Sequence, residues 1–413
     1  MSTRHASTRL SPTGSGVGVF IAGVSMVALG VGFASPALTY IGVMTFGAAT
    51  FAAIWVVVTG IVLPSRYARV SRAVGPGHPM VGAPSKVITT VKPIRWNATT
   101  HAMVRGLGVS EQAAAEITGT AHQRAAVSRA DRAVTLTYPI TPSLRGRWIL
   151  GPCVVDSADP LGLMRASCAM GATDEVSVWP QIHDLSDVAR AIMGEAEQTR
   201  SGTRSSSADD ASLREYHEGD DLRRVHWASS ARRGTMLVRS DEHEGKRPAV
   251  VVLDLPFAPQ ATEWAISAAA SIACSVLDSG HAAHIHARDL PPAQAHTGDA
   301  RARLLDSLID LEAPARRRAE DLLEPISAAF DVARRGAVVF AVLEPASDET
   351  LRALSALGPD GRAWALVRET GNAAAAGRTA ASLRAAGWHV ALVDSNAGVP
   401  DGWGHLLKEA VSV

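Results

Sequence analysis

The chain has 413 residues, more than a single domain of ordinary size, so its length predicts two or three folded units. Its 40 basic and 40 acidic residues balance, and the chain lacks the basic excess expected of a nucleic-acid-binding protein. The three cysteines, Cys153, Cys168 and Cys274, are widely spaced without a Cys-x-x-Cys pair, which indicates buried thiols in a reducing compartment rather than a metal site.

Two uncharged stretches stand near the start of the chain. Residues 17–34 and 37–63 contain no charged side chain, and each is long enough to cross a bilayer, which takes about 20 residues of helix. The Ser-Pro pair between them breaks the pattern, because proline lacks the N–H that a helix interior needs. The sequence therefore predicts a transmembrane helical hairpin over residues 17–63, preceded by a tail over residues 1–16.

Basic residues flank the outer ends of this hairpin. Arg4 and Arg9 precede it and Arg66, Arg69 and Arg72 follow it, whereas the turn between the two stretches carries no Lys or Arg. Because positive flanks stay on the cytoplasmic side, we expect a multi-pass protein of the plasma membrane with both termini in the cytoplasm. A cleaved signal peptide is the alternative, and the second apolar stretch directly behind the first argues against it.

A β-rich region follows the hairpin. Residues 64–80 include a Gly-Pro-Gly-His-Pro run and are interpreted as a linker. Over residues 81–182, short runs of strand character alternate with turn signals, which predicts a small antiparallel sandwich. The alanine-rich segment 111–130 is the exception, because its propensity is helical. Residues 183–212 end in a run rich in Ser and Asp and are interpreted as a connector with a flexible loop.

The last region, residues 213–413, alternates apolar strands with amphipathic helices. This alternation predicts a parallel, doubly wound sheet with helices on both faces. Such sheets place their sites at the carboxyl ends of the strands, which are here Asp254, Glu344 and Asp394. Strands are predicted over residues 249–253, 282–287, 337–343, 363–367 and 389–393, and helices over residues 261–279, 300–309, 316–335, 348–357, 373–386 and 405–410.

A dense charged and aromatic stretch opens this region, and it supplies the candidate binding residues. One interpretation is an ion-pair network that holds the stretch to its own domain. A second is a surface for a partner, anchored by aromatic and arginine side chains. A third is an acid–base or metal site of Asp220, Asp221 and His226. The candidates are Arg214, Glu215, Tyr216, Gly219, Asp220, Asp221, Arg223, His226, Trp227, Arg232 and Arg233.

Two sets of motifs resemble the signature of the domain of unknown function 58 family. The resemblance covers the chain from about residue 66 to its end. It implies an α+β multidomain membrane protein with an N-terminal hairpin, an Ig-like β-sandwich and a von Willebrand factor type A-like α/β domain. It also implies gene neighbourhoods with MoxR-type AAA+ ATPases and membrane-bound transglutaminase-like proteins, and no established activity. The motifs are Arg214-Glu215-Tyr216, Gly219-Asp220-Asp221, Arg223, His226-Trp227, Ala231-Arg232 and Leu237-Val238, together with Arg145-Gly146-Arg147 and Asp159-Pro160-Leu161-Gly162-Leu163.

The resemblance also implies where a metal ion would bind. Metal-binding von Willebrand type A domains begin their ion site with Asp-x-Ser-x-Ser after the first strand. The corresponding residues are Asp254, Pro256 and Ala258, so the carboxylate is kept and both hydroxyl ligands are missing. Because Mg²⁺ requires near-octahedral oxygen ligands, we expect a degenerate site with no metal and no cofactor. The three histidines within residues 281–286 are interpreted as ordinary polar residues.

The chain lacks the motifs of common enzyme classes: a P-loop, a Gly-x-Ser-x-Gly elbow and a His-Glu-x-x-His helix. We therefore expect a non-enzymatic, membrane-anchored cytoplasmic adaptor or scaffold. Its expected partners are a MoxR-type AAA+ ATPase, other membrane proteins and the lipid bilayer, with a role in complex assembly or envelope-related maturation. The alternatives are a hydrolase that uses Asp220, Asp221 and His226, and a purely structural scaffold of the cell envelope.

Overall fold

The chain folds as two units, Met1–Trp179 and Pro180–Val413. The computed structural model describes residues 8–62, 68–75, 77–94, 108–118, 125–129, 133–202, 213–215, 227, 230–231, 234–239, 247–291, 299–316, 318–358 and 362–411.

The first unit begins with a short strand and two apolar helices, which antiparallel strands follow. Its strands pair in the order β1-β8-β7-β4, with β9 paired to β7, and in a separate sheet of order β2-β3-β6-β5. The elements are β1 (Arg9–Pro12), α1 (Gly14–Gly32), α2 (Pro36–Val57), a π-helical turn (Val58–Val62), β2 (Ala68–Gly75), β3 (Ser85–Pro93), β4 (Gly108–Ala113), α3 (Ala115–Thr118), β5 (Ala126–Ser128), β6 (Val134–Ile140), β7 (Gly146–Ala158), β8 (Met164–Met170) and β9 (Asp174–Val178).

Helices α1 and α2 form the expected hairpin, and glycines let them approach closely. The predicted break is confirmed, because α2 begins at Pro36, where the missing N–H would have no helical partner. A Cβ on Gly30 would lie 2.4 Å from the Thr39 Oγ1, and a Cβ on Gly42 would lie 2.7 Å from the Val27 backbone nitrogen. Small residues at a helix contact are typical of helix pairs in membranes.

The two sheets of the first unit share their hydrophobic core. Inward-facing aliphatic side chains of β3 and β6 pack against those of β7, β8 and β9, so each sheet buries the inner face of the other. The antiparallel strands expected over residues 81–182 are therefore present. One cluster contains Val91, Val134, Leu136, Cys153, Val155 and Met170, and the other contains Val87, Ile117, Tyr138, Ile140, Leu150, Val176 and Val178.

The first unit differs from the sequence prediction in three places. Strand β1 lies within residues 1–16, a range that the sequence predicts as a tail. Strand β2 lies within residues 64–80, a range that the sequence predicts as a linker. Strands β4 and β5 occupy parts of the segment 111–130 in spite of its helical propensity, and α3 is a single turn. The reason for the second and third differences is an inward-facing polar pair: the side chains of Arg72 in β2 and Glu111 in β4 are almost completely buried and bind each other. Polar residues at inward positions hide the alternation by which strands are recognised.

The second unit contains a small antiparallel pair and a larger parallel sheet with its helices. The pair is β10 with β11, and the parallel sheet has the order β13-β12-β14-β15-β16. The strands are β10 (Leu213–Glu215), β11 (Leu237–Arg239), β12 (Ala249–Leu253), β13 (Ala283–Ala287), β14 (Val338–Leu343), β15 (Ala363–Arg368) and β16 (His389–Val393). The helices are α4 (Ser186–Gly202), α5 (Pro259–Asp278), α6 (Ala300–Leu308), α7 (Leu323–Ala333), α8 (Asp348–Ser355), α9 (Ala373–Ala385) and α10 (Val399–Val411).

The predicted doubly wound sheet is confirmed. All neighbouring strands of the larger sheet run parallel. One face carries Val339 and Ala341 and packs against α7, α8 and α9, whereas the other face carries Phe340 and Trp364 and meets Trp403 of α10. The chain moves from β12 to one side and returns to the other side at β14, so the carboxyl ends of these two strands form a topological switch point.

Helix α4 lies inside the predicted connector, residues 183–212. Its Val188 and Ile192, four residues apart, are buried with their neighbours, which is the spacing of one helical face. The hydroxyl of Ser275 on α5 accepts a hydrogen bond of 3.2 Å from the Leu185 N–H just before α4 begins. The sequence interpretation gives weight to the Ser- and Asp-rich run at the end of this segment and misses the amphipathic helix before it.

Candidate functional site

The switch point of the parallel sheet places two acidic residues in direct contact. Asp254 follows β12 and Glu344 follows β14, and both are buried. The Asp254 Oδ2 accepts a hydrogen bond of 3.2 Å from the Glu344 N–H, and the Asp254 N–H donates to the Val342 carbonyl at 2.9 Å. Two of the three strand-end acids singled out in the sequence therefore meet at this edge of the sheet.

An arginine lies at the same edge. Arg368 is the last residue of β15, and its guanidinium lies over the ring of Trp264 from α5, 4.9 Å from the ring centroid. Its Nη2 donates to the Ser395 carbonyl at 2.5 Å. Within the part of the chain that the structure describes, its Nε and Nη1 are buried without a hydrogen-bond partner. Two donors of a stacked guanidinium therefore lack an acceptor among the described residues.

The charge of Arg368 is balanced by the carboxylates of the same edge. Burial lowers the pKa of Arg368, and the negative charges of Glu344 and Asp394 oppose this lowering. An arginine starts from so high a pKa that its guanidinium stays protonated at neutral pH. A permanent cation is thus held among carboxylates at the carboxyl ends of β12, β14, β15 and β16.

The loop after β16 completes the edge. The Asp394 Oδ1 accepts from the Asn396 N–H at 2.7 Å, which closes a side-chain turn of the kind that aspartate favours. The Trp264 Nε1 donates to the Ala397 carbonyl at 3.0 Å. Because Arg368 binds the carbonyl of Ser395 in the same loop, Trp264 and Arg368 together fix the position of the third strand-end acid.

The residues at this edge do not fit a hard metal cation. One oxygen of Asp254 already accepts a backbone N–H, and the Pro256 carbonyl accepts the Thr262 hydroxyl at 2.7 Å. Among the described residues, no group of three or more His, Cys, Asp and Glu side chains is arranged to hold a metal ion. The guanidinium of Arg368 lies at the same edge. It is positively charged and has no oxygen atom that could bind a metal ion.

Of the three histidines near β13, His281 lies before the strand and His284 and His286 lie within it. The His281 Nδ1 lies 3.0 Å from the Arg247 carbonyl oxygen. His284 and His286 share one face of the strand, as the sequence predicts, opposite Val250 and Val252 of β12. Burial lowers the pKa of His286, and the nearby His284 adds to the effect, which favours the neutral imidazole.

The structure describes only part of the charged stretch. Arg214 and Glu215 belong to β10 and lie opposite Val238 and Leu237 of β11. The Trp227 side chain is 65% exposed, so it is not a core residue. Outside the described residues lie Tyr216, Gly219, Asp220, Asp221, Arg223, His226, Arg232 and Arg233.

The sequence analysis misses Arg368 and Trp264 as site residues. It ends the strand at Val367 and considers only the acidic strand ends. The signal is present, because Arg368 is the first charged residue after an apolar run that is itself predicted as a strand. Trp264 lies within the helix predicted over residues 261–279, and its Nε1 donates to the loop at the site.

Part of the chain matches the model of a known family. Residues 212–362 match the family model described as "Protein of unknown function DUF58". No curated protein matches the sequence. The structure of a von Willebrand factor type A protein from Catenulispora acidiphila aligns with 16% identity and a TM-score of 0.29, over 40% of this chain and 43% of that one. The match thus spans less than half of that relative.

Proposed function

We propose that this chain, a DUF58 protein by its residues 212–362, is a membrane-anchored adaptor that binds a partner protein at the carboxyl edge of its parallel sheet. The observation that carries the proposal is Arg368, whose buried Nε and Nη1 have no acceptor among the described residues while its guanidinium stacks on Trp264. Arginine and tryptophan are the residue types that dominate binding energy in protein interfaces. Trp227, 65% exposed, is a second aromatic anchor of the same unit.

The anchor of the adaptor is the helical hairpin of the first unit. Helices of 19 and 27 residues, Gly14–Gly32 and Pro36–Val62, are long and apolar enough to cross a membrane. Only 17% of each apolar window is buried, whereas a core helix of a water-soluble protein is mostly buried. In this proposal the exposed apolar surface of the two helices lies in lipid. With the arginines at its outer ends, the hairpin gives a multi-pass plasma-membrane protein with both termini in the cytoplasm.

The partner we propose is a MoxR-type AAA+ ATPase, as the family resemblance implies, acting with other membrane proteins in complex assembly or envelope-related maturation. In this proposal the two sheets of the first unit form an Ig-like sandwich, and the second unit is a von Willebrand factor type A-like domain. The adaptor is non-enzymatic. The hydrolase alternative depends on Asp220, Asp221 and His226, which lie outside the described residues, and no observation favours it or the purely structural scaffold.

Substitution of Arg368 tests the binding edge. Arg368→Gln removes the charge, and Arg368→Lys keeps the charge but loses the planar fork of donors. We expect both variants to lower the affinity for the ATPase by about 2 kcal/mol or more, roughly 30-fold, measured by affinity capture from detergent-solubilised membranes with thermal unfolding as the check on the fold. Arg352→Gln is the matched control, because Arg352 is exposed on α8 of the same unit. Normal capture by folded Arg368→Gln would contradict the proposal.

Cysteine labelling tests the topology. Ser35 lies in the turn between α1 and α2, and Ser11 lies in β1 before the hairpin. We expect Ser35→Cys to react with an impermeant maleimide added outside intact cells, and Ser11→Cys to react only after permeabilisation. The native cysteines are buried and give little background. Labelling of Ser35→Cys that also requires permeabilisation would reverse the topology.

A further inference from the structure

The signature turn at residues 159–163 is not used by the binding edge, yet it touches the first apolar helix. We propose that this turn rests on the bilayer surface and places Leu161 in the lipid headgroup region, so that the sheets of the first unit are held against the membrane. The proposal depends on the membrane anchoring argued above. It adds a membrane contact outside the two helices.

No linker separates the sheet from the first apolar helix. Strand β1 ends at Pro12, which pairs with Met164 of β8, and α1 begins at Gly14. The 19 residues of α1 span about 28 Å at 1.5 Å per residue, and the hydrocarbon core is about 30 Å thick. Because α1 needs its whole length to cross the core, the edge formed by β1 and β8 begins at the membrane surface.

The turn at residues 159–163 hydrogen-bonds to the residue before α1 and packs against the start of this helix. The Thr13 N–H donates to the Leu163 carbonyl at 2.9 Å, and the Thr13 hydroxyl lies 2.7 Å from the Gly162 carbonyl and caps the helix by accepting from the Gly16 N–H at 3.0 Å. A Cβ on Gly16 would lie 2.0 Å from the Leu163 oxygen, so only glycine permits this approach. Residues 162–163 therefore pack against the first turn of α1.

The turn itself is fixed by a buried carboxylate. The Asp159 Oδ1 accepts from the Leu161 N–H at 2.8 Å, and its Oδ2 accepts from the Met164 N–H at 2.6 Å. Asp159 is 5% exposed, which makes these bonds costly to break. The position of Leu161 relative to α1 is thus set by consecutive backbone and side-chain bonds.

The second apolar helix contacts the strands on either side of the same turn. A Cβ on Gly60, in the π-helical turn, would lie 2.7 Å from the Ser157 Cβ of β7 and 3.4 Å from the Ala166 Cβ of β8. The Thr59 and Ser157 hydroxyls are 3.5 Å apart. Both helices therefore hold the β7–β8 hairpin, which cannot turn away from the membrane without breaking both contacts.

The side chains around the turn suit a headgroup layer. Leu161 is 56% exposed, whereas Leu163 two residues later is 6% exposed. A single exposed leucine is ordinary on a surface in water, but at the start of a membrane helix it meets lipid. Arg9 of β1 and Arg165 of β8 are exposed nearby, and basic residues beside a membrane span attract anionic headgroups.

Nitroxide spin labels report the depth of these side chains. The full chain is reconstituted in vesicles of phosphatidylcholine and phosphatidylglycerol, and the accessibility of each label to oxygen and to a water-soluble nickel complex is compared. Leu161→Cys is the test position and Met44→Cys, on the exposed face of α2, is the marker for the bilayer interior. Leu144→Cys is the matched control, because Leu144 is 44% exposed at the opposite end of β7. The 13 residues of β7 correspond to roughly 43 Å of extended strand.

We expect the Leu161→Cys label to favour oxygen, as at a lipid interface, and the Leu144→Cys label to favour the nickel complex. An aqueous Leu161→Cys label beside a lipid-exposed Met44→Cys label would overturn the membrane contact and leave the anchoring intact. An aqueous Met44→Cys label would overturn the anchoring itself.

A second pair of variants tests what holds the turn in place. In the Leu161→Cys background, Gly16→Ala places a methyl group against the Leu163 oxygen, whereas a Cβ on Gly18 meets nothing within 4 Å. We expect Gly16→Ala to increase the mobility of the label and its exposure to nickel, and Gly18→Ala to change neither. Identical spectra of the two variants would contradict a turn held by α1.

Discussion

Glu111→Ala is expected to destabilise the first unit by about 3–5 kcal/mol, the cost of removing one partner of a buried ion pair. The Glu111 and Arg72 side chains are 2% and 4% exposed, and the Arg72 Nε donates to the Glu111 Oε1. The second carboxylate oxygen accepts from the hydroxyls of Thr89 and Tyr138, the latter at 2.8 Å. Removal of the carboxylate takes away the acceptor that the Arg72 Nε and the Thr89 and Tyr138 hydroxyls share, while the Arg72 Nη1 keeps its bonds to the Ala172 carbonyl and to Asp174.

The pKa values of three groups beside this carboxylate are shifted from their usual values. Burial lowers the pKa of Arg72, but the hydrogen bonds and charges of Glu111 and Asp174 outweigh it, so the net direction is upward. Burial, and then the charge of Glu111, raises the pKa of Tyr138 and raises that of Cys153 to about 12. Arg72 therefore stays protonated, and Tyr138 and Cys153 stay neutral, across the neutral pH range.

The matched control is Glu175→Ala. Glu175 pairs with Arg147 at 3.1 Å in the same unit, but the two side chains are 57% and 45% exposed. An exposed pair contributes about 0–1 kcal/mol. The measurement is hydrogen exchange of the full chain in detergent, with peptides from β4 and β6 reporting the local free energy of opening. Equal protection in the Glu111→Ala and Glu175→Ala variants would show that the buried pair does not stabilise the unit.

The second unit follows its sequence pattern closely because pattern and burial agree there. Residues 249–253 are uniformly apolar and form a strand with every residue buried. The other strands and helices can be recognised because the apolar pattern changes from continuous runs to a period of 3.6 residues. Their observed ends differ from the predicted ends by a few residues. The helix expected over residues 316–335 starts later, at Leu323, after a 3-10 turn, and the last helix starts six residues earlier than expected, at Val399.

The first unit follows its pattern less well because polar side chains occupy inward positions. Arg72 and Glu111 face each other between the two sheets, and neither strand shows the simple alternation of apolar and polar residues. Their pairing joins residues 39 positions apart, so no local signal indicates it. The short β1 escapes prediction for a related reason: its side chains are exposed, and its pairing with β8 is made by the backbone.

The candidate edge is predictable in position but not in composition. Doubly wound sheets bind at the carboxyl ends of their strands, and this rule locates Asp254 and Glu344 from the amino-acid sequence alone. Arg368 is also the first charged residue after an apolar run, but an arginine at that position is usually a solvated strand end, so the rule does not single it out. The contact of its guanidinium with Trp264 joins residues more than one hundred positions apart, and only the folded chain shows it.

Phe340→Ala is expected to destabilise the second unit by about 3–5 kcal/mol, the usual cost of truncating a buried phenylalanine. Phe340 lies in the central strand β14 and is 1% exposed. Its ring lies 5.8 Å from that of Trp364 on β15 and 5.7 Å from that of Trp403 on α10, in tilted arrangements that favour aromatic pairs. Truncation opens a cavity between two rigid rings that cannot collapse into it.

Phe257→Ala is the control, because Phe257 is 63% exposed and its loss should change stability by no more than about 0.5 kcal/mol. Thermal unfolding of the full chain in detergent measures both variants. Phe340 lies four residues before Glu344, so a loosened β14 also weakens the contact between Glu344 and Asp254. We therefore expect Phe340→Ala to lose stability and capture of the partner together, whereas Arg368→Gln loses capture while the fold is kept. A Phe340→Ala variant as stable as Phe257→Ala would contradict the aromatic packing that supports the edge.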